Sequence, residues 1–372
     1  MSSKMSWALV GGFGHAALVL QELDAWGGAE VVALAAASPD DDQDSAETFR
    51  AGHRCIRPGA PFYKDVGKML NDVHPQGVII SCRLDRTAGV IRLAAKAGCH
   101  IITEKPLALD RSVLAELYQD VRRQQVACIP MIDYPAHPCI RAAKQVVQRG
   151  WLGEIVLANA RKSYRWGSRP VWFGDRSIYG GTLPWIGIHG LDFIYSTTGL
   201  TFTAAMGMHG NLSKKERPQC EDHAVVLMEL VNGAHMTLSV DYLRPAKAPS
   251  HGDDWFRLVG SRGVLEASME ARTLTLISDV EGGTKDLVSG STNLQESDRS
   301  ISSLAGKDSL RVELPEREAY FPPILEELGR GGRRPWQETQ RGFLLTEAAL
   351  AARDAADSGR RVEVQGPAAY TF

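Results

Sequence analysis

The amino-acid sequence predicts an α/β domain built on a doubly wound parallel sheet, followed by an α+β domain built on a half-buried antiparallel sheet. Its 372 residues exceed the roughly 250 to 300 at which a single core stops growing. Short apolar strands alternate with helices up to about residue 130, which is typical of a parallel sheet. An Asn-Gly turn between two alternating runs then indicates an antiparallel hairpin. We therefore predict domains at residues 1–130 and 131–372.

The first domain is predicted from apolar runs separated by turn residues and caps. Gly98 is placed to end one helix, and Asp110 is placed to cap the next. The predicted strands are residues 7–10, 31–35, 77–81, 99–103 and 126–131. The predicted helices are residues 16–23, 63–70, 86–97 and 111–123.

A glycine-rich turn follows the first strand and has the pattern G-x-G-x-x-A, from Gly12-Phe13-Gly14-His15 to Ala17. Such a turn lets a pyrophosphate approach backbone amides at a helix N-terminus, so Gly12 and Gly14 are predicted to bind a dinucleotide. His15 could contact the phosphates or face solvent.

The end of the second strand bears on the choice between NAD and NADP. It lacks the usual acidic residue, so Ser38 is the candidate for a ribose hydroxyl. Residues 40–42 are all Asp and would repel a 2'-phosphate. The sequence therefore favours NAD over NADP and leaves both open.

The second domain is predicted from a change of hydrophobic period. Asn232-Gly233 joins the runs 225–231 and 234–242, and the second run alternates apolar and polar residues. Further strands are expected at 155–164, 255–259, 264–267, 274–278 and 361–364. A helix is expected from about 337 to 357, and a mobile loop at 282–306.

Composition excludes several classes of protein. A net charge of -2 and a pI near 6.6 give no attraction for nucleic acid. Six scattered cysteines lack metal-site spacing, so we assign no metal and expect reduced thiols in the cytoplasm. No apolar run reaches the roughly 18 residues of a membrane helix.

The turn Glu104-Lys105-Pro106 ends the fourth strand. Proline at 106 favours extended backbone at Lys105, which places its amine at the carboxyl edge of the sheet. In open parallel sheets this edge binds ligands.

Together these motifs resemble the Gfo/Idh/MocA oxidoreductases over nearly the whole chain. The matching segments are Gly12-Phe13-Gly14, Glu104-Lys105-Pro106, His137-Pro138, residues 150–155, Gly180-Gly181 and the segment from Gly187 to Asp192. The resemblance implies a Rossmann domain with NAD or NADP, and an open-faced sheet that forms the substrate site and the contact of a homo-oligomer (dimer or tetramer). It also implies hydride transfer at a carbinol carbon of a sugar or polyol.

The sequence departs from the family pattern at three places. The Thr-Pro-Asn that usually ends the third strand is Cys82-Arg83-Leu84, and an Asn-Arg pair after the fifth strand is Asp133-Tyr134. A carboxylate usually precedes the catalytic His by four residues, and that position is Trp185. By resemblance Phe13, Cys82, Arg83 and Glu104 would adjoin the cofactor. Because of the three departures, the resemblance supports the fold more strongly than the reaction.

Three residues are predicted to carry the reaction. His189 has an ordinary pKa near neutrality and suits proton transfer from a hydroxyl. Lys105 would stabilise alkoxide character or accept the proton itself if burial lowers its pKa. On a helix, Asp192 would share a face with His189 and could orient its ring, although a stabilising role is also open.

The missing carboxylate needs a substitute, and the candidates are Asp133, Tyr134, Asp175 and Tyr179. Asp133 follows the fifth strand at the ligand edge, but it could equally cap the helix at Pro138. A sugar platform could be built from Tyr164, Arg165, Trp166, Trp172 and Trp185, although aromatic residues more often belong to a core.

The function predicted from sequence is an NAD(P)-dependent dehydrogenase acting on a sugar, glycoside or polyol hydroxyl. One alternative is a lyase or glycoside hydrolase that works through transient oxidation and returns the hydride. The other is a ligand-binding descendant that lost catalysis when Trp185 replaced the acid.

Overall fold

The computed structural model describes residues 4–37, 49–280, 309–314 and 316–370. A parallel sheet forms its first part, with strands β1 (Met5–Val10), β2 (Ala29–Ala35), β3 (Phe62–Tyr63), β4 (Gly77–Ile80), β5 (His100–Thr103) and β6 (Cys128–Pro130). Their order is β3-β2-β1-β4-β5-β6. This order reverses direction between β1 and β4, which is where open parallel sheets bind ligands.

Helices connect these strands, as the apolar pattern predicts: α1 (Ala16–Trp26), α2 (Val66–Val73), α3 (Leu84–Lys96) and α4 (Arg111–Gln124). The predicted cap is confirmed, since the Asp110 carboxylate accepts hydrogen bonds from Ser112 N and Val113 N. The helix predicted from residue 63 begins later. Residues 62–63 instead pair with Leu34 and Ala35 at the sheet edge, and Asp65 caps α2.

A nine-stranded sheet forms the second part. Its strands are β7 (Ile155–Tyr164), β8 (Phe202–Gly210), β9 (His223–Leu230), β10 (His235–Asp241), β11 (Gly252–Gly260), β12 (Gly263–Ser268), β13 (Thr273–Ser278), β14 (Ser309–Glu313) and β15 (Val362–Glu363). The predicted Asn-Gly hairpin is confirmed between β9 and β10. Neighbouring strands are antiparallel except β10 and β7, which pair in parallel. Strand β8 was not predicted.

One face of this sheet is covered by helices, among them α5 (Pro138–Gln148), the short α6 (Arg176–Tyr179) and α7 (Ile188–Thr198). The opposite face carries exposed apolar side chains on β8 and β9. Met206 pairs with Leu227 and Met208 with Val225, and Met208 is 80% exposed. Exposed apolar pairs of this kind indicate a surface suited to another protein.

The last helices bring the chain back to the first sheet. Tyr320 and the helix α8 (Phe321–Gly329) pack with Trp7 and the core around β1. The helix α9 (Arg334–Ser358) packs Phe343 into a core beside the parallel sheet and Leu345 into the core beneath the nine-stranded sheet. It was predicted at nearly these bounds, whereas α8 was not predicted. The domain division at 130/131 stays a prediction.

Three sequence expectations lie outside the described residues: Ser38 as a ribose contact, the repulsion of a 2'-phosphate by residues 40–42, and the loop at 282–306. All six cysteines are buried, and none of them forms a disulfide. None of the helices within the described ranges is long and apolar enough to cross a bilayer.

Candidate active site

The turn between β1 and α1 is shaped by glycines. Gly11 and Gly14 both have positive φ, and a Cβ on Gly14 would overlap the Glu104 carboxylate. Within the described residues no hydrogen bond uses the amides of Gly12 or Gly14, which precede the N-terminus of α1. Free amides at a helix N-terminus attract phosphate, so this turn fits the pyrophosphate of a dinucleotide.

A cavity of about 890 Å³ lies over this turn, between the two domains. Gly12, Phe13 and Arg83 line it from the first domain. From the second domain it is lined by residues 170–172 and 216–219, with Asp175 among the remaining lining residues. Arg83 therefore lines this cavity, and its contact with the cofactor stays a prediction. Cys82 is fully buried and presents no surface to the cavity.

Glu104 ties the glycine turn to the end of β5. Its buried carboxylate accepts a hydrogen bond from His15 N and lies 2.6 Å from His15 Nδ1. Burial raises the pKa of Glu104, but the adjacent His15 and Lys105 outweigh burial and hold that pKa below its usual value. Glu104 is thus an anion that positions His15, whose side chain keeps 35% of its surface exposed.

Lys105 is the amine at the centre of the site. It is 1% exposed, and its Nζ donates a 2.9 Å hydrogen bond to the carbonyl oxygen of Trp185. Burial lowers the pKa of Lys105 to about 7; Glu104 opposes this shift, while Arg169 and Lys162 add to it. A large fraction of this amine is therefore neutral at physiological pH, as a proton acceptor must be.

His189 comes from the second domain on α7. It is 3% exposed, its ring lies 5.2 Å from the Tyr134 ring and 6.3 Å from the His15 ring, and its buried Nδ1 has no hydrogen-bond partner among the described residues. Burial, together with the charges of Lys105 and Lys162, holds the pKa of His189 well below its ordinary value. The imidazole is therefore neutral and has an unused polar atom.

Asp192 does not hold the His189 ring, contrary to the expectation from helical spacing. Its carboxylate accepts 2.6 Å hydrogen bonds from Arg341 Nη1 and Ser196 Oγ. Arg341 in turn donates hydrogen bonds to the Glu338 carboxylate and to the Ile132 carbonyl oxygen. Asp192 therefore joins α7 to α9 through a buried ion pair. Within the described residues no hydrogen bond joins Asp192 to His189 Nδ1, so this geometry gives no support to the predicted orienting role.

The sequence predicted that Asp133 either replaces the missing carboxylate or caps a helix, and the structure instead pairs it with an arginine. It pairs with Arg317 and makes no side-chain cap. It lines a separate cavity of about 280 Å³ together with Asp254 and Glu270, and neither Lys105 nor His189 lines that cavity. Asp133 thus does not replace the missing carboxylate beside Lys105 in this structure.

Tyr134 belongs to a buried polar cluster that includes Lys162, a residue that sequence reasoning missed. Lys162 is fully buried on β7 and donates to Asp254 Oδ2 and Tyr134 Oη, and Tyr134 Oη donates to Asp254 at 2.9 Å. Burial lowers the pKa of Lys162, but Tyr164 and Asp254 outweigh it, so Lys162 stays charged. The alternation of β7, which buries Ala158 and Ala160, was the available signal.

The predicted aromatic platform separates into three places. Trp185 is buried in a π-helical turn (Leu183–Gly187) and packs 5.7 Å from Phe13. Trp172 also packs on Phe13, at 4.8 Å. Trp166 lies further out, 4.9 Å from the Tyr242 ring.

Tyr164 and Arg165 follow one another at the end of β7. The Lys162 amine lies 4.4 Å from the centre of the Tyr164 ring. Arg165 has a buried Nε without a hydrogen-bond partner in the described part of the chain. Of the predicted platform, Trp185 lies against Lys105, and Tyr164 and Arg165 adjoin the Lys162 cluster.

Asp175 and Tyr179, the remaining candidates for the missing acid, have structural roles. The Asp175 carboxylate caps α6 through Ser177 N, and Tyr179 shares a 2.7 Å hydrogen bond with Tyr242. Burial keeps the Tyr179 pKa well above its ordinary value. Neither group supplies a carboxylate to Lys105.

Comparison with known proteins identifies the family. Residues 5–131 match the model of an oxidoreductase family with an NAD-binding Rossmann fold, and residues 140–266 match the model of the Gfo/Idh/MocA C-terminal domain. A curated relative, the uncharacterized oxidoreductase sll0816 of Synechocystis, is 24% identical over 226 residues, which cover 55% of this chain and 57% of that protein. The chain thus spans about half the length of the curated relatives that it matches.

Solved structures are similar over nearly the full length. A protein from Thermotoga maritima, described as an oxidoreductase, is 29% identical with a TM-score of 0.81, covering 97% of this chain and 100% of that one. Levoglucosan dehydrogenase in complex with NADH and L-sorbose has the same fold at 17% identity and a TM-score of 0.73, covering 98% and 99%. With both of its domain models matched in order along the sequence, the chain belongs to the Gfo/Idh/MocA family of NAD-binding oxidoreductases.

Proposed function

We propose that the protein is an NAD-dependent dehydrogenase that oxidises a carbinol carbon of a sugar, glycoside or polyol, with Lys105 as the proton acceptor. The observation that carries the proposal is a fully buried amine whose pKa is lowered to about 7, next to a neutral imidazole from the other domain. A base is most effective when its pKa lies near the working pH.

The two groups have distinct roles. Oxidation releases the hydroxyl proton, which the neutral amine of Lys105 accepts to become an ammonium. His189 holds its proton too weakly for this step, since its pKa lies well below the ordinary value. As a neutral ring with an unpartnered Nδ1, it can instead fix the orientation of the hydroxyl by one hydrogen bond.

The cofactor residues are those of the glycine turn, and they also include Glu104 and Arg83. When bound, the nicotinamide supplies the hydride acceptor. Gly12 and Gly14 would present amides to the pyrophosphate, while Glu104 holds His15 in the same turn. Phe13 packs against Trp172 and so closes one side of the cavity from water.

A carbohydrate substrate is supported by the name of one structural neighbour, a levoglucosan dehydrogenase. We also propose that a second copy of the chain covers the exposed face of β8 and β9, since Met206, Met208, Val225 and Leu227 form one apolar patch there.

The test is a screen of carbohydrates and polyols with NAD and NADP, followed by the appearance of reduced nicotinamide. We expect accumulation of NADH with at least one substrate, and its loss in Lys105→Met. Product formation without NADH accumulation would instead favour transient oxidation. Cofactor binding without turnover across the panel would indicate a ligand-binding protein.

A further inference from the structure

The segment at the end of β7 carries more positive charge than the described residues neutralise. Lys162, Arg165 and Arg169 lie within one stretch at and just beyond the end of β7. Lys162 has a carboxylate partner in Asp254. Arg165 and Arg169 have none at ion-pair distance within the ranges that the structure describes, although the whole chain has a net charge of -2.

Arg169 is held in place but keeps its hydrogen-bonding ends unused. Its Nε donates a 2.9 Å hydrogen bond to the carbonyl oxygen of Trp166. Its guanidinium carbon lies 5.2 Å from the ring centres of both Phe173 and Tyr242. In the described part of the chain no acceptor lies within hydrogen-bond distance of its Nη atoms. Two parallel N–H groups are therefore available to a ligand, while two aromatic rings pack against the guanidinium.

Arg165, four residues earlier in the sequence, also has an unused hydrogen-bond donor. Its Nε is buried without a hydrogen-bond partner among the described residues, which costs free energy until an acceptor is supplied. A buried donor of this kind is satisfied by a bound group more readily than by bulk water.

Ring contacts connect Arg169 to the residues around Lys105. Phe173, which supports Arg169, lies 5.6 Å from the Trp185 ring that covers Lys105. Besides burial, the charges of Arg169 and Lys162 lower the pKa of Lys105, and those of Arg169 and Arg165 lower the pKa of His251. Arg169 is therefore linked to Lys105 through Phe173 and Trp185, and Arg165 lies on the same segment.

We propose that the substrate is a sugar derivative with an anionic group, which Arg169 binds through its Nη atoms with Arg165 beside it, while its carbinol carbon lies at Lys105 and His189. This inference rests on the proposed dehydrogenase function. A carboxylate or phosphate oxygen pair matches the paired N–H groups of a guanidinium, and the anion offsets the repulsion between the cations.

The test compares matched neutral and anionic sugars on the full chain with saturating NAD: glucose, glucuronate, gluconate and glucose 6-phosphate. Binding of each sugar to the NADH-loaded protein is measured separately by calorimetry. We expect kcat/KM for an anionic member to exceed that for glucose by at least about tenfold, the range of one charge-assisted hydrogen bond. The preferred anion distinguishes carboxylate from phosphate.

The variants are Arg169→Met and Arg169→Lys, with Arg161→Met as the matched control, because Arg161 is paired with Asp253 and half exposed. Arg169→Met should raise KM for the anionic sugar about tenfold to hundredfold and leave KM for NAD unchanged, while Arg169→Lys restores part of the loss. Thermal unfolding of each variant verifies that it folds, and Arg165→Met provides a second variant.

The outcomes separate the two proposals. Equal turnover of neutral and anionic sugars, unaffected by Arg169→Met, overturns the anionic substrate and keeps the dehydrogenase. Saturable binding of an anionic sugar that Arg169→Met abolishes, without any turnover, keeps the anion site and overturns the dehydrogenase. A rise only in KM for NAD assigns these cations to the cofactor and overturns the inference, as does a lack of both binding and turnover for every anionic sugar.

Discussion

The Nζ atom of Lys105 lies 3.3 Å from the centre of the Trp185 indole ring and donates a hydrogen bond to the carbonyl oxygen of Trp185. One residue of the second domain therefore contacts the buried amine of the first domain twice. The indole stands where relatives are expected to have a carboxylate. It excludes water without adding charge, and so favours the neutral amine that a carboxylate would have charged.

Replacing Lys105 should remove the proton acceptor. Lys105→Met is expected to lower kcat by at least about 10²-fold, the usual contribution of a general base. In the native protein kcat/KM for oxidation should rise with pH and level off above about 7, because only the deprotonated amine accepts a proton. The pH-rate profiles of native protein and variant check both points. A flat native profile through this range would contradict the assignment.

Replacing His189 should lower the rate without moving the pH profile. Its pKa lies well below the ordinary value, so the ring does not change charge near neutrality. We expect His189→Ala to lose about 10²-fold in kcat and His189→Gln to lose less, since an amide can still donate one hydrogen bond. If the inflection near pH 7 disappeared in His189→Gln, the titrating group would be the imidazole.

Removing the indole should raise the pKa of Lys105. Trp185→Ala admits water and relieves the burial that is the largest cause of the lowered pKa; loss of the ring contact acts in the opposite direction but is the smaller effect. The inflection in kcat/KM should therefore move above pH 7. Trp185→Phe, which keeps an apolar ring, serves as the control and should shift the profile less. An unmoved inflection in Trp185→Ala would show that the indole does not set this pKa.

The Asp192–Arg341 pair should contribute to stability more than to proton transfer. Arg341→Met leaves the carboxylates of Asp192 and Glu338 buried without their cation, which should cost about 3 to 5 kcal/mol in the free energy of unfolding. Arg257→Met removes a partly exposed pair with Glu266 and should cost at most about 1 kcal/mol. Urea denaturation measures both. Asp192→Asn should leave the pH inflection in place.

The apolar patch on β8 and β9 should hold two copies together. Met208→Glu places a charge at its most exposed position and Leu227→Glu a second charge on the neighbouring strand, so the double variant should dissociate. Light scattering at several concentrations gives the mass. The control is Lys68→Glu, which changes an exposed charge outside the patch and should leave the mass unchanged.

Much of the fold follows from local patterns, since period, glycine turns and caps act over a few residues. The strand Phe62–Tyr63 was missed because two residues carry too little pattern, and its pairing with Leu34 and Ala35 is set by distant chain. Lys105 and His189 were predicted from their motifs, and the structure buries both side chains. The partners of Asp133 and Asp192 were not predicted, because Arg317 and Arg341 approach from more than 140 residues away in the sequence.

The return of α9 to the first sheet has a consequence for how the molecule is made. Phe343, Leu350 and Tyr370 complete the core around α4 and β6, so a fragment ending at residue 130 would leave Tyr118 and its neighbours bare to water. During translation the core of the nucleotide-binding domain therefore cannot be completed until residues 343–370 have left the ribosome. We expect such a fragment to aggregate when it is expressed without its C-terminal helix.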